Sequence, residues 1–423
     1  MRELLANRRF MIFWLGQAVS VLGDGMTPVA MAALVLHYHG PSGFGIALAC
    51  YSLGYGVPML LGGVIADRYS RTAVMAVADV VRLGVVVGYI LLAGRTPLAT
   101  LGALSALGGF GAALYTPAFR ASLAQILPPE QLRQANALQG IANKGAFAVG
   151  GALAGLLIAT AGGDAPDAVA VGARWAFAVD GATFAVSIVT LLAIPLPRVA
   201  RSEAVQGVFR EAVEGIRAVW KRPWVAVIMA QGTVQVVIGF APFTVLLPIV
   251  AMERYGASGY GTLAFFQGVG SILGGLLILR YRPKRPGVTG MHALALFAPM
   301  CLFLAVPVPL WVYVLAQLLG AAGISVFFAL WTVALQREFP ADLQGRVFSL
   351  DSLLTFVLNP VGLAVTPVLM HLVGIPALAV GSAAAIVLCS YAVLFVRGVP
   401  GFRTPPHPST DGLTAAHEES RTG

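Results

Sequence analysis

The sequence predicts an all-α membrane protein whose twelve transmembrane helices form two similar halves of six helices each. Three observations lead to this prediction: the composition, the apolar runs and an internal repeat. The chain has 423 residues, of which 58% are hydrophobic and 11% are charged. Soluble domains carry about 25% charged residues, so this composition excludes soluble enzymes, secreted domains and disordered chains.

The apolar residues form twelve runs, and each run has roughly the 20 residues that a helix needs to cross the hydrocarbon core. Transmembrane β-strands are shorter and alternate in polarity, whereas these runs are continuous, which favours helices. The first run is also too long for the apolar part of a signal peptide. The runs cover residues 10–36, 43–66, 73–93, 99–119, 136–161, 173–195, 224–250, 258–279, 288–306, 309–335, 347–371 and 376–396.

The two halves of the chain repeat each other in one register. A shift of 212 residues places Leu61-Gly62-Gly63 on Leu273-Gly274-Gly275. The same shift aligns further pairs along the sequence, as far as Gly150 with Gly362. A register that holds over this distance indicates a duplication, and two parallel six-helix repeats are an arrangement found in secondary transporters.

We expect four parts in the chain: an N-terminal six-helix half (1–195), a cytoplasmic linker (196–223), a C-terminal six-helix half (224–397) and a disordered cytoplasmic tail (398–423). Apolar residues recur at helical spacing between Val208 and Trp220, which predicts an amphipathic helix in the linker. That helix either tethers the two halves or binds a partner. The tail is polar and proline-rich, which is typical of disorder.

The distribution of lysine and arginine predicts the orientation of the chain in the membrane. With the N-terminus inside, the cytoplasmic segments contain 22 of these residues and the outer loops three. Cytoplasmic loops carry such an excess of cations, so we expect a multi-pass protein of the cell inner (plasma) membrane with both termini in the cytoplasm. The same excess accounts for the net charge of +9 without nucleic-acid binding.

The loop after the second run carries a short motif of glycine, acid and arginine. Its residues are Gly63, Asp67, Arg68 and Arg71. The motif resembles the signature of the major facilitator superfamily, although Thr72 stands where a second basic residue is usual. This resemblance implies a twelve-helix transporter in which the motif latches the two halves on the cytoplasmic side. The alternative is a structural turn that only orients the helices.

Other segments resemble the macrolide-efflux and enterobactin-exporter-like branch of the same superfamily. They are Trp14–Gln17, Gly23–Asp24, Asp79–Arg82, Pro117–Arg120, Leu132–Asn136 and Gly345–Ser349. The fifth run departs from the antiporter pattern, because Gly145–Gly155 contains no Gly-Pro pair. Arg346 and Asp351 are expected to belong to the cytoplasmic gating motif, Asp351 as a helix cap or as a partner of the Asp67 loop.

Five ionisable residues of the predicted spans are candidates for a proton or substrate pathway. They are Asp24, Asp79, Arg82, Lys144 and Asp180. A charge inside the membrane is costly, so it usually marks a pathway or an ion pair. Asp79 and Arg82 are three residues apart on one helical face, and a structural ion pair is the favoured interpretation for them. Asp180 and Lys144 remain open between the two roles.

Asp24 is the candidate with the most distinctive surroundings. It lies near the midplane, about 21 Å along the first span at 1.5 Å per residue. We expect its neighbours Gly23, Gly25 and Pro28 to loosen the helix there, where a substrate or proton could bind. The alternative is a buried hydrogen-bond acceptor that holds the first span to a neighbour.

The motifs of the chain exclude the common enzyme classes. The three lysines, Lys144, Lys221 and Lys284, form no Walker A phosphate loop, and neither HExxH nor GxSxG occurs. The three cysteines form no CxxC pair. We therefore predict a non-enzymatic, cofactor-free, monomeric transporter in the lipid bilayer, which uses a proton gradient to export a small amphipathic molecule. Metabolite uptake and a non-transporting receptor or scaffold are the alternatives.

The predicted orientation can be tested by cysteine labelling. The variants Ser202→Cys and Thr410→Cys should react only with reagents that reach the cytoplasm, because both positions lie in cation-rich or terminal segments assigned to the inside. Asp164→Cys should react from outside. Labelling of position 202 by an impermeant reagent in intact cells would contradict the orientation.

Overall fold

The computed structural model describes residues 4, 6–68, 70–92, 94, 96–161, 167–194, 196 and 208–403, and their regular secondary structure is helical. Positions 164, 202 and 410, chosen for labelling, lie outside the described residues. The α-helices are Arg8–Arg68, Arg71–Leu92, Leu98–Ile126, Pro129–Thr160, Ala168–Ala193, Val208–Trp220, Pro223–Gln235, Ala241–Arg280, Pro286–Ala295, Ala298–Ala305, Leu310–Glu338 and Ala341–Ala392. A π-helix, Val236–Phe240, joins two of them, and a 3-10 turn, Val393–Phe395, follows the last.

Within the described residues, nine continuous helical runs are long and apolar enough to cross a membrane. Three of these runs are interrupted by a glycine with positive φ: Gly40 (64°), Gly256 (68°) and Gly374 (83°). Glycine adopts this left-handed conformation without steric cost, so each of these positions divides one run into two. The predicted twelve spans are thereby confirmed.

We number the spans 1 to 12 and name the two faces of the bundle for the description below. Arg8 and Phe402 lie on the proximal face, and Gly40 and Gly256 lie on the distal face. The spans are residues 8–39, 41–68, 71–92, 98–126, 129–160, 168–193, 223–255, 257–280, 286–305, 310–338, 341–373 and 375–392.

Spans within each half approach closely wherever glycine faces a neighbouring backbone. A Cβ atom added at Gly109 of span 4 would lie 2.1 Å from the carbonyl oxygen of Tyr51 in span 2. In the second half, a Cβ atom at Gly270 of span 8 would lie 2.1 Å from the carbonyl oxygen of Leu318 in span 10. Small residues permit such packing in membranes, where dispersion contacts replace the hydrophobic effect between helices.

The two halves meet along spans 5 and 8 and along spans 2 and 11. At the first contact, a Cβ atom at Gly155 would lie 2.9 Å from the Cα atom of Gly261. At the second contact, the amide of Asn359 donates a hydrogen bond of 3.1 Å to the hydroxyl of Ser52. These contacts lie in the distal parts of the four spans, so the distal ends of the two halves are packed together.

The linker helix Val208–Trp220 occupies the residues that the sequence predicts. Glu214 of this helix pairs with Arg346 of span 11, and its Val219 is buried. The described start of the tail differs from the expected disorder, because Val399 and Phe402 are also buried. The remaining tail, 404–423, lies outside the described residues.

The glycine contacts yield a matched pair of variants. Gly109→Ala should lower the free energy of unfolding by about 1–3 kcal/mol, the usual cost of overpacking, because its methyl group meets the span 2 backbone. Gly84→Ala is the control, since nothing lies within 4 Å of a Cβ atom there. Thermal unfolding of the purified proteins in detergent should separate the two variants, and equal stability would contradict the close packing.

Candidate functional site

The charged side chains of the first half meet around Arg82 of span 3. Its Nη1 atom donates to both carboxylate oxygens of Asp24 in span 1, at 3.0 and 2.9 Å. Its Nη2 atom donates to Asp79, one helical turn away. The guanidinium carbon lies 4.6 Å from the centre of the Tyr115 ring and 4.5 Å from that of Phe184. One arginine therefore bridges two carboxylates between two aromatic faces.

The ion pair of Asp79 with Arg82 is the one that their spacing predicts, and hydrogen bonds hold it from two further spans. Ser187 of span 6 donates to Asp79 at 2.5 Å and accepts a hydrogen bond from Gln17 at 3.1 Å. Tyr115 of span 4 donates to the side-chain amide oxygen of Gln17 at 2.5 Å. Since Asp79 is fully buried, these contacts replace the water that a carboxylate otherwise needs.

Asp180 of span 6 lies in the same region and is fully buried. It accepts hydrogen bonds from the hydroxyl of Thr27 at 2.5 Å and from that of Thr183 at 3.5 Å. The described partners of Asp180 are therefore neutral, in contrast to those of Asp24 and Asp79. The cluster contains three carboxyl groups and one guanidinium group.

The glycines beside Asp24 do not loosen the helix, which corrects the expectation from the sequence. Span 1 is helical through this region, and Gly40 is the position with non-helical angles in its run. A Cβ atom at Gly23 would lie 2.3 Å from a carboxylate oxygen of Asp180, and one at Gly25 would lie 2.8 Å from the Cα atom of Phe147. These glycines thus let spans 5 and 6 approach on either side of Asp24.

A cavity of about 710 Å³ adjoins the cluster within the first half. The side chain of Asp24 is 26% exposed and that of Arg82 is 7% exposed, so the carboxylate is the more accessible member of the pair. Aromatic residues form much of the wall, and they are Tyr51, Tyr55, Tyr89, Tyr115, Phe119, Phe147, Phe177 and Phe184. The lining continues to Arg120 and Asn136 towards the proximal ends of spans 4 and 5.

Lys144 of span 5 lies apart from the carboxylate cluster and contacts the second half. Its ammonium group donates to the carbonyl oxygen of Ser271 in span 8 at 3.0 Å and to the hydroxyl of Ser325 in span 10 at 2.7 Å. It therefore links spans 5, 8 and 10 near the middle of the bundle. The structure does not bring Lys144 together with Asp24 or Asp180.

The residues assigned to the gating motif are only partly within the described side chains. Arg71 donates a hydrogen bond of 2.6 Å to the carbonyl oxygen of Ala121, which ties span 3 to span 4. Arg346 pairs with Glu214 of the linker helix. The side chains of Gly63, Asp67 and Arg68 lie outside the described set.

The expectation that Asp351 caps a helix is wrong. The helix that contains it begins at Ala341 after the N-cap Pro340, so Asp351 lies well inside it. Its carboxylate accepts a hydrogen bond of 3.3 Å from the indole nitrogen of Trp331 in span 10. The alternative role, as a partner of the Asp67 loop, remains a prediction.

Sequence reasoning missed the neutral partners of the cluster. Gln17, Thr27, Tyr115 and Ser187 support the carboxylates, yet single polar residues in apolar runs are common and give little signal. Gln17 is the one of these residues that the sequence could have indicated, because it belongs to the Trp14–Gln17 segment that resembles exporters. No spacing rule connects Asp24 with Arg82, which are 58 positions apart.

Comparison with known proteins identifies the class. The sequence profile of the Major Facilitator Superfamily matches residues 13–362, and the chain belongs to this family. It is therefore an inner-membrane transporter of small molecules and not an enzyme, and transporters of this family generally need no cofactor.

Individual relatives are efflux proteins. The multidrug efflux pump Tap of Mycolicibacterium fortuitum is 26% identical over 375 residues, covering 84% of this chain and 87% of the relative. Macrolide efflux protein A of Streptococcus pyogenes is 21% identical over 380 residues, covering 87% and 90%. The crystal structure of the nucleoside transporter NupG aligns with a TM-score of 0.70 at 12% identity, covering 92% of this chain and 98% of that one, and supports the fold.

The geometry around Arg82 predicts an asymmetry between two variants. Arg82→Met should destabilise the protein by about 3–5 kcal/mol, because it leaves the fully buried Asp79 without its cation. The double variant Asp79→Asn with Arg82→Met should recover part of this loss, since it removes the uncompensated charge as well. Thermal unfolding in detergent provides the measurement, and a double variant less stable than Arg82→Met would contradict the ion-pair interpretation.

Proposed function

We propose that the protein exports small amphipathic molecules across the inner membrane by alternating access, in exchange for protons. The observation that carries this proposal is the Asp24–Arg82 ion pair, whose carboxylate is exposed to an aromatic cavity. The efflux function of the relatives Tap and macrolide efflux protein A supports the direction of transport. Membership of the Major Facilitator Superfamily favours an ion gradient, and not ATP, as the source of energy for transport.

Asp24 is the proposed site at which protons and substrate compete. When Asp24 is ionised, Arg82 holds it through two hydrogen bonds, and Asp79 holds Arg82 from the other side. A proton on Asp24 removes one negative charge, and Arg82 then keeps its pair with Asp79. Because Asp79 is buried and Asp24 is half-buried, Asp24 can exchange its partner without opening the core of the cluster.

The cavity favours a substrate with an apolar body and a cationic group. Its eight aromatic rings supply apolar surface and π-faces, which attract organic cations. Two carboxyl groups, Asp24 and Asp180, are among the lining residues, whereas Arg82 is already compensated by two carboxylates. An amine-bearing amphipathic molecule could therefore replace Arg82 as the partner of Asp24.

The proposed orientation places the proximal face, with both termini, in the cytoplasm. The excess of arginine and lysine in the proximal loops supports this assignment. The packed distal ends and a cavity that reaches towards the proximal ends fit a state that loads substrate from the cytoplasm. Gly63, Asp67, Arg68, Arg71, Arg346 and Asp351 are the proposed gating residues that close this side during the cycle.

We further infer that one chain is the functional unit. Every residue of the cavity and of the Arg82 cluster comes from spans 1–6 of the same chain. The second half packs against the first through contacts of span 8 with span 5 and of span 11 with span 2. A complete site in a single copy favours a monomer.

The role of Asp24 can be tested by conservative substitution. Asp24→Asn should abolish proton-driven export while leaving membrane insertion intact, because the amide neither binds nor releases a proton at this position. Asp24→Glu should retain some export with a shifted pH optimum. Export of a fluorescent lipophilic cation from cells, with and without an uncoupler, measures both effects.

Two comparisons make this test specific. Asp167→Asn is the matched control, since this carboxylate is exposed at the distal face and pairs with His37 outside the cavity. It should export normally. If Asp24→Asn keeps full export with an unchanged pH profile, the residue is a structural acceptor and the proposal passes to Asp180 or Asp79.

A further inference from the structure

A second concave site lies at the proximal end of the C-terminal half, away from the aromatic cavity. It encloses about 940 Å³ where spans 8, 9, 10 and 12 end. We call it the basic pocket, after the five cationic side chains in its lining. They are Lys284, Arg285, Arg337, Arg397 and Arg403. None of these residues lines the aromatic cavity or belongs to the Arg82 cluster.

The wall of the basic pocket is a folded segment that continues from span 12. Gly398 turns the chain with φ of 95°, and Phe402 then stacks on the buried Trp224 at 5.9 Å between ring centres. The carbonyl oxygen of Pro400 accepts hydrogen bonds from the backbone nitrogens of Gly287 and Val288, at 3.1 and 3.3 Å. Aromatic stacking and backbone hydrogen bonds thus preorganise the pocket.

Within the part of the chain that the structure describes, the carboxylates around the basic pocket do not balance its charges. Glu338 is the one acidic residue in the lining, and it already accepts a hydrogen bond of 3.0 Å from Arg222, an arginine outside the lining. Among the described residues, no ion pair joins any of the five cations to a carboxylate. Five cations held around one cavity attract a multivalent or strongly accepting anion.

The lining also contains apolar residues, which narrow the choice of anion. Leu394, Phe395 and Val396 share the cavity with the cations, and the side chain of Phe395 is 90% exposed. This residue ends the 3-10 turn, Val393–Phe395, that follows the last transmembrane helix. A free inorganic anion gains nothing from contact with these apolar residues, whereas an anion attached to acyl chains can pack its chains against them.

We propose that the basic pocket binds the phosphate headgroup of an anionic phospholipid. The arginines contact the phosphate oxygens, and Phe395 lies against the start of the acyl chains. A bound lipid would neutralise part of the charge between spans 9, 10 and 12 and fix the folded segment Gly398–Arg403 in place.

The test uses the purified full-length protein and native mass spectrometry with phosphatidylglycerol or phosphatidylcholine. The wild type should retain phosphatidylglycerol in preference to phosphatidylcholine. Arg285→Gln with Arg403→Gln should weaken this retention by about tenfold, since each basic residue near a membrane surface adds materially to the attraction of anionic lipid. Both side chains are exposed, so monodisperse elution and an unchanged melting temperature should confirm that the variant is folded.

Matched variants decide between the proposed site and a general effect of charge. Arg9→Gln with Arg133→Gln removes two exposed cations from the proximal face of the other half, and it should leave retention unchanged. Phe395→Ala keeps all five cations and should still weaken lipid retention. The proposal is overturned if the Arg285 and Arg403 variant retains phosphatidylglycerol as the wild type does, if the control loses it equally, or if inorganic phosphate displaces it at millimolar concentration.

Discussion

A guanidinium group buried in the middle of a membrane protein requires compensating negative charge, and much of the first half is arranged to supply it to Arg82. Asp24 and Asp79 supply that charge from spans 1 and 3, and Ser187 brings span 6 into the same network. The two aromatic rings over the guanidinium come from spans 4 and 6. Four spans are thus held by contacts to Arg82 or its partners. This arrangement places Asp24, the more accessible of the two carboxylates that bind Arg82, at the cavity wall.

The two halves share a six-helix architecture but differ in the charged residues within their spans. The sequence has no Asp, Glu, Lys or Arg between residues 223 and 252, 286 and 336, or 352 and 396. Asp351 of the second half lies well inside span 11, and it accepts a hydrogen bond from Trp331. The second half therefore buries apolar and neutral polar side chains, such as Gln235 and Gln317. In the described residues, the intramembrane ionic network around Arg82 belongs to the first half. After the duplication, one copy kept or gained the charges and the other provides a neutral partner surface.

The fold could be predicted from the sequence because its determinants are local: long apolar runs, the loop cations and the glycines that divide the runs. The Asp79–Arg82 pair was predictable for the same reason, since three residues form one helical turn. Its connection to Asp24 depends on how spans 1 and 3 pack, which no local pattern encodes. Asp351 was misjudged because its helix begins earlier, after Pro340. The order of residues 398–403 was missed because a polar composition hides two buried anchors, Val399 and Phe402.

The contact between spans 5 and 8 has a mechanical consequence for the transporter. Along the distal part of this contact, Gly151 and Gly155 face Gly261 and Ala264 with almost no interlocking side chains. Because small residues meet here, a change in the angle between spans 5 and 8 would displace no large side chain at this contact. Lys144 is the exception, because its two directional hydrogen bonds must break or change partner when the angle changes. The hydrogen bonds of Lys144 therefore resist such a change of angle more than the glycine contacts do.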